Sequence, residues 1–294
     1  QEITGLGVTG ESFGDALTGC GNLVNSFGDC LAVGALAKVG TSTTGGSVYV
    51  YASNGSSGLS TSAPIASASG VDNGTAIPCT ETFGKSIANP GSVDNADGAG
   101  RADLLVGAPE CDVNGHTNDG LAFIYTGRSG ADLVASPWAA SGGVNNVEFG
   151  TTGRIGDVNG DGIADFAFGM PKRSASGGSS NGRMYVYLGS TGVPSSTYKV
   201  FMTGPSGAKL GSAIAGGVDI NLDGYDDIIV GAPAYTNSHT GQGAVYVYFG
   251  GPGGPNKVND FSYTFGQTHA NVGAAVATGD LNGDGRGDAV WGLP

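Results

Sequence analysis

Three nine-residue stretches of this chain set oxygen-bearing side chains at positions one, three, five and nine. They read Asp157-Val-Asn159-Gly-Asp161-Gly-Ile163-Ala-Asp165, Asp219-Ile-Asn221-Leu-Asp223-Gly-Tyr225-Asp-Asp227 and Asp280-Leu-Asn282-Gly-Asp284-Gly-Arg286-Gly-Asp288. Carboxylate and amide oxygens in a tight turn are hard donors, and calcium takes six to eight of them at a loose distance. A glycine after the third oxygen donor permits the backbone reversal that wraps an ion. An EF-hand is excluded, because it needs a bidentate Glu at position twelve and flanking helices. Those positions are Phe168, Val230 and Trp291, inside expected strands. Magnesium, which keeps several of its waters, fits less well. The alternative is a set of ordinary Asn/Asp/Gly turns. Three loops in register favour the cation, since nine clustered aspartates without one repel each other.

No second set of residues competes for chemistry. His116, His239 and His269 fall in separate loops without ligand spacing, and no Ser-His-Asp set or phosphate loop stands out. Glycosidase chemistry needs two free carboxyls facing one substrate, and the metal loops absorb most carboxylate pairs. The expectation is that the chain is not an enzyme. Arg286-Gly287-Asp288 spells a cell-attachment tripeptide, but its aspartate belongs to a metal loop.

The loops recur inside a larger repeat. Each is preceded by an aromatic or aliphatic residue and Gly (Phe149-Gly150, Leu210-Gly211, Val272-Gly273) and followed by an apolar run closing on Gly169-Met-Pro171, Gly231-Ala-Pro233 and Gly292-Leu-Pro294. A looser copy runs from Phe83-Gly84 to Gly107-Ala-Pro109, and a more divergent one from Phe13-Gly14 to Gly34-Ala. The closing aspartates Asp29, Asp103, Asp165, Asp227 and Asp288 stand 74, 62, 62 and 61 residues apart. Between copies lies a β-branched and aromatic strand: Ser47–Tyr51, Leu121–Tyr125, Met184–Tyr187 and Ala244–Tyr248. Its tyrosines (Tyr49, Tyr51, Tyr185, Tyr187, Tyr246, Tyr248) alternate as strand faces do; most are expected to pack between blades, with about one face in two partly exposed. Weaker strands follow, such as Tyr198–Met202 and Phe261–Phe265. Four strands per repeat, here a to d, make one propeller blade, and no stretch has helical periodicity. The fold class is therefore all-β, a β-propeller of four-stranded antiparallel blades, with about five repeats. One domain is expected over 1–294, with repeats near 9–71, 79–140, 145–204, 206–266 and 268–294.

The order of F-G, Asp-x-Asn-x-Asp-Gly-x-x-Asp and apolar-Gly-Ala-Pro resembles the FG-GAP repeat of integrin α subunits and their bacterial relatives, and the resemblance covers essentially the whole chain. Integrin propellers carry seven blades, against five repeats here. The resemblance implies that positions one, three, five and nine ligate through side chains and position seven through its carbonyl. The ligands are then Asp157, Asn159, Asp161, Ile163 and Asp165; Asp219, Asn221, Asp223, Tyr225 and Asp227; Asp280, Asn282, Asp284, Arg286 and Asp288, for about three Ca2+ ions. In the second copy Asn95, Asp97 and Asp103 match in part, with two extra residues after Gly98 and Val93 at position one unless Asp94 shifts in. The first copy has lost its ligands; Cys20 and Cys30 flank that loop. A disulfide there closes the hairpin that calcium closes elsewhere, and Cys79–Cys111 is the companion pair, before strand a and after strand b of the second copy. Residues 1–8 sit where a d strand belongs and are expected to close the last blade, whose remaining edge could accept a strand from another molecule.

Composition bounds the partners. Net charge is −13, which lacks the electrostatic footprint for nucleic acid. Apolar residues at 39% allow a core, and no run is long enough to span a membrane. Glycine is abundant, at 57 residues, but recurs at fixed places beside apolar triplets. The even cysteine count suits an oxidising compartment. A start at Gln1 reads as a processed, secreted or cell-surface protein, with Asn54 and Asn73 in sequons. The leading function is an extracellular adhesion, interaction or structural module whose partner is a protein, a glycan or another copy, including a head-to-tail oligomer. The alternative is a lectin-like glycan-binding module associated with polysaccharide degradation.

Overall fold

The computed structural model describes residues 11–23, 29–37, 46–53, 63–69, 71–72, 75–76, 82–95, 100–127, 133–174 and 179–294. Among them every regular element is a strand. Among the described residues no helix is long and apolar enough to cross a membrane. The chain divides into two compact units, 1–150 and 151–294.

The first unit holds two four-stranded antiparallel sheets. One is β1 (Glu11–Gly19), β2 (Cys30–Ala37), β3 (Ser47–Ala52) and β4 (Ala66–Ser69), in that order. A small hairpin, β5 (Val71–Asp72) with β6 (Thr75–Ala76), follows it. The other sheet is β7 (Ser86–Gly91), β8 (Asp103–Ala108), β9 (Leu121–Thr126) and β10 (Val134–Ser141). The second unit holds β11 (Thr151–Gly156), β12 (Asp165–Met170), β13 (Arg183–Tyr187) and β14 (Val200–Thr203) in one sheet. A second sheet takes β15 (Ala213–Val218), β16 (Asp227–Ala232), β17 (Ala244–Tyr248) and β18 (Phe261–Tyr263). The pair β19 (Val276–Gly279) and β20 (Asp288–Trp291) completes the unit. Every sheet is an up-and-down meander, the architecture of propeller blades.

Strand b forms the heart of each full blade, with β8, β12 and β16 buried at every position. They are short apolar runs without alternation, as expected when both faces are covered. Strand c follows suit. Tyr49, Tyr51, Tyr185, Tyr187 and Tyr248 are all buried and Tyr246 is half-buried, so the expectation of one partly exposed face is corrected. Phe166 stacks on Tyr187 at 5.3 Å between ring centroids, a cross-strand pair that favours the interior.

The F-G and Gly-Ala-Pro signatures meet in space. The backbone carbonyl of one F-G glycine lies against the Gly-Ala-Pro glycine of the preceding repeat: Gly84 on Gly34 and Gly150 on Gly107 in the first unit, Gly211 on Gly169 and Gly273 on Gly231 in the second. A Cβ at any of the four receiving positions would sit closer to that carbonyl oxygen than real Cβ atoms ever come. A second seat lies at the entry to strand c, where Gly182 bridges Leu210 and Gly243 bridges Val272 in parallel.

Candidate metal centre

Each aspartate loop is built by its own side chains. Asp157 Oδ1 accepts hydrogen bonds from Gly160 N (2.7 Å) and Asp161 N (3.1 Å), and its Oδ2 accepts one from Gly162 N (2.7 Å). Asp219 does the same for Leu222 N, Asp223 N and Gly224 N, and Asp280 for Gly283 N, Asp284 N and Gly285 N. At position three the Asn159 amide donates to Asp161 Oδ2 at 3.0 Å while its Oδ1 accepts from Asp161 N at 2.9 Å. Asn221 and Asn282 repeat both bonds. At position seven the N–H of Ile163, Tyr225 and Arg286 donates to the position-five carboxylate. Positions one, three and five thus share one turn in all three loops. Position four needs a left-handed backbone. Gly160 and Gly283 supply it freely, whereas Leu222 is held at φ 65°, a conformation that costs a side-chain-bearing residue about 1–2 kcal/mol.

Position nine has a different task. Asp165 and Asp227 are fully buried. Asp165 Oδ2 accepts from Val158 N (3.0 Å) and its Oδ1 from Gly189 N (2.8 Å). Asp227 takes Ile220 N (2.7 Å) and Gly250 N (2.9 Å) in the same way, and Asp103 takes Val93 N (2.7 Å) and Gly127 N (2.9 Å). This carboxylate therefore ties the a–b loop to the glycine that follows strand c. Asp288 holds Leu281 N at 2.9 Å. The bond to position two also fixes the register of the second copy. Val93 aligns with Val158, Ile220 and Leu281, so position one is Ser92, whose Oγ accepts from Asn95 N at 3.2 Å. The expectation of Val93 at position one is corrected; Asp94 stands at position three, Asn95 falls out of register, and Asp97 lies outside the described residues. The extra residues after Gly98 hid this from the sequence.

Burial sets the electrostatics. It pushes the Asp103 and Asp165 carboxyls up to about 7, against the pull of the N–H donors they hold. Asp227 moves the same way for the same reason. Asp280 moves down, because Gly285 N and its neighbours donate to it. A carboxyl with a raised folded-state value is protonated in the fold and ionised in the unfolded chain between the ordinary 3.8 and about 7. Stability of the ion-free protein therefore falls as pH rises through that window. Thermal melts in chelator are expected to show a higher midpoint at pH 5 than at pH 8; the reverse order would show that burial of these carboxyls is not dominant.

Asp227→Ala leaves two part-buried N–H groups, those of Ile220 and Gly250, without an acceptor, at about 1 kcal/mol each. The loss is expected in chelator as well as in calcium, measured by denaturant unfolding. A loss confined to the calcium-loaded protein would make Asp227 a ligand with no structural role.

Two features were not legible beforehand. Asp226, at position eight of the second loop, accepts from Asp157 N at 2.9 Å, and its own N–H donates to Asp157 O at 3.1 Å. Gly287 N reaches Asp219 O at 2.9 Å in the same fashion, so successive loops of the second unit are stitched together. The Arg286 guanidinium donates to Ile220 O at 3.2 Å, which engages the Arg-Gly-Asp triplet within this array. In the first copy Cys20 and Cys30 form a disulfide with Cα atoms 5.0 Å apart, beside a backbone bond from Cys20 N to Cys30 O. Cys111 is also disulfide-bonded. Cys79, Asn54, Asn73 and residues 1–8 lie outside the described residues.

The oxygen donors suit calcium in kind: carboxylates, an amide and a carbonyl on one turn, with no nitrogen or sulfur ligand among them. Among the described residues no three His, Cys, Asp or Glu groups already converge to hold a metal; the loop N–H groups instead hold the position-one carboxylates, Oδ1 of Asp157 accepting two of them and Oδ2 one.

The repeat family matches here. Residues 210–248, from the Leu-Gly step through the second aspartate loop to the end of β17, match the model of the FG-GAP repeat. The chain carries an FG-GAP repeat there. The Asp219–Asp227 loop and the glycine seat of Gly231 lie within this FG-GAP match. Human phosphatidylinositol-glycan-specific phospholipase D is 31% identical over 206 residues, covering 62% of this chain and 24% of that protein. Integrin alpha-5 of Xenopus laevis is 30% identical over 199 residues, 65% of this chain and 18% of the integrin. Integrin alpha-3 of Cricetulus griseus is 32% identical over 152 residues, 51% and 13% respectively. The chain thus spans a quarter or less of these relatives.

Proposed function

We propose that this chain is an extracellular, calcium-stabilised FG-GAP propeller module that binds a partner and catalyses no reaction. The observation that carries the reading is the threefold recurrence of one loop geometry. Asp157, Asp219 and Asp280 each gather the same three backbone N–H groups and bring positions three and five together. Asp157, Asn159, Asp161 and the Ile163 carbonyl would hold one ion, with Asp165 behind them. The corresponding residues of the 219–227 and 280–288 loops would hold two more. Bound calcium would neutralise clustered carboxylates and stiffen the a–b turns. The second-copy loop, with Ser92 at position one, is left out of the set. The phospholipase activity named for one relative belongs to a protein of which this chain matches 24%, and the integrin relatives support a role in recognition. Adhesion to a protein partner is preferred to glycan binding on that ground.

Isothermal titration of the chelator-stripped chain with CaCl2 tests the reading. Saturation at about three ions is expected, falling by one in Asp223→Ala. A flat titration, or one unchanged by that substitution, would overturn it.

A further inference from the structure

The connection from β17 to β18 begins with a wall that is mostly backbone. It reads Gly250-Gly-Pro-Gly-Gly-Pro-Asn-Lys257. Gly250 N donates to Asp227 Oδ1 at 2.9 Å and Gly251 N to Val158 O at 2.9 Å, so the wall is rooted in two aspartate loops. Gly254 N closes a turn on Gly251 O at 2.8 Å. Facing the wall is the entry to β14, where Lys199 N donates to Val186 O at 2.8 Å. Between them lies an open cavity of about 490 Å³, lined by Lys199, Val200 and residues 250–257. That volume is in the range of small-molecule sites.

Charge sets this cavity apart. The chain has 25 acidic and 12 basic residues, yet the lining carries two lysines and no carboxylate. Among the described residues neither Lys199 nor Lys257 has an ion pair. The Lys257 ammonium sits 5.2 Å from the centre of the Phe201 ring, and the Arg183 guanidinium 4.6 Å from the same centre. Arg183 Nη1 donates to the Tyr185 hydroxyl at 3.3 Å, while its Nε is buried without an acceptor. Tyr185 and Tyr198 brace the ring, with centroids 5.8 and 5.5 Å away. Asp260, the next carboxylate along the chain, is engaged by Phe249 N at 2.8 Å. Three cations thus gather without a carboxylate partner among the described residues, and an anion relieves their mutual repulsion.

We propose that this cavity binds a small anionic sugar, a hexose unit carrying a sulfate or a carboxylate. Lys199 and Lys257 supply the charge, and the Phe201 ring holds the Lys257 ammonium in place before the ligand arrives. The glycine wall offers main-chain polar groups to hydroxyls. Its apolar lining is limited to Val200, Pro252 and Pro255, which leaves no slot for an acyl chain or an aromatic base. The net charge of −13 repels a long polyanion, whereas screening over about 8 Å lets a small anion feel chiefly the local lysines. The site is separate from the aspartate-loop ions and from the protein partner proposed above, and it rests on neither.

The test follows amide NMR spectra of the isotope-labelled whole chain in excess calcium. The probes are glucose monosulfate, glucuronate, glucose and inorganic sulfate. The amides of Gly251, Gly253 and Gly254 are expected to shift and saturate with an anionic sugar, at a dissociation constant of about 1 mM. Response to the sulfate ester or to glucuronate tells which anion the lysines select, and either supports the site. Lys199→Gln and Lys257→Gln, both at exposed side chains, are each expected to weaken binding about fivefold. Lys209→Gln, also exposed and outside the cavity, is expected to change nothing. Three results would overturn the proposal: no saturable shift, an equal response to glucose, or binding unaltered in both cavity variants. Inorganic sulfate binding as tightly as the sugars would also overturn it and leave an adventitious ion only.

Discussion

Calcium at a hundred times its dissociation constant is expected to stabilise this chain by about 3 kcal/mol per loop, because an ion that binds only the folded state acts by mass action. The three loops together make this the largest single effect in the molecule. Its source is local. Asp157, Asp219 and Asp280 already order the turns through backbone N–H groups, so the loops need little reorganisation. Removing Asp161, Asp223 or Asp284 takes away the central carboxylate while sparing the buried aspartate. Asp223→Ala is therefore expected to lower the melting temperature in calcium and to leave it nearly unchanged in chelator. Differential scanning calorimetry in both conditions separates this from the Asp227→Ala effect, which is present in each. A melting temperature indifferent to chelator would reduce the loops to ordinary turns.

The second large effect concerns the glycine seats. Gly231→Ala is expected to destabilise the fold by about 3 kcal/mol or more, at the upper end of overpacking costs. The new methyl would meet the Gly273 carbonyl and its Cα, which are backbone on both sides and cannot swing away. Gly253→Ala is the control: nothing lies within 4 Å of the added methyl, and a change within about 0.5 kcal/mol is expected for such a surface site. Urea unfolding of the two variants in the same buffer measures the difference. Equal midpoints would show that neighbouring strands separate at no cost, contrary to the close approach seen between them.

Much of this was legible in the linear chain, for reasons that differ by feature. The oxygen-bearing loops were legible because calcium-type chemistry depends on local spacing, and Asp-x-Asn-x-Asp-Gly is local. The strands were legible because β12, β16 and their equivalents are short apolar runs with aromatic partners at a fixed interval. The Cys20–Cys30 pairing followed from two cysteines flanking one hairpin turn. What the F-G and Gly-Ala-Pro glycines do was not legible. They stand about forty residues apart in sequence (Gly169 and Gly211, for example), and only packing of one strand against the next brings them into contact. The packing of the strand c tyrosines was foreseen, but not that the second face is covered too, since alternation reports two faces and not what lies over them. The role of the ninth-position aspartate also belongs to tertiary structure. By spacing it is one more oxygen in the loop, yet Asp165 and Asp227 bind the N–H of Gly189 and Gly250, 24 and 23 residues away. The same bond moved position one of the second loop to Ser92. Sequence alone thus determined the repeat, the strand order within a blade and the donor chemistry of the loops, all of which rest on neighbours along the chain. Tertiary structure decided which carboxylates face outward and which are buried as backbone clamps, because that choice depends on what the next strand presents.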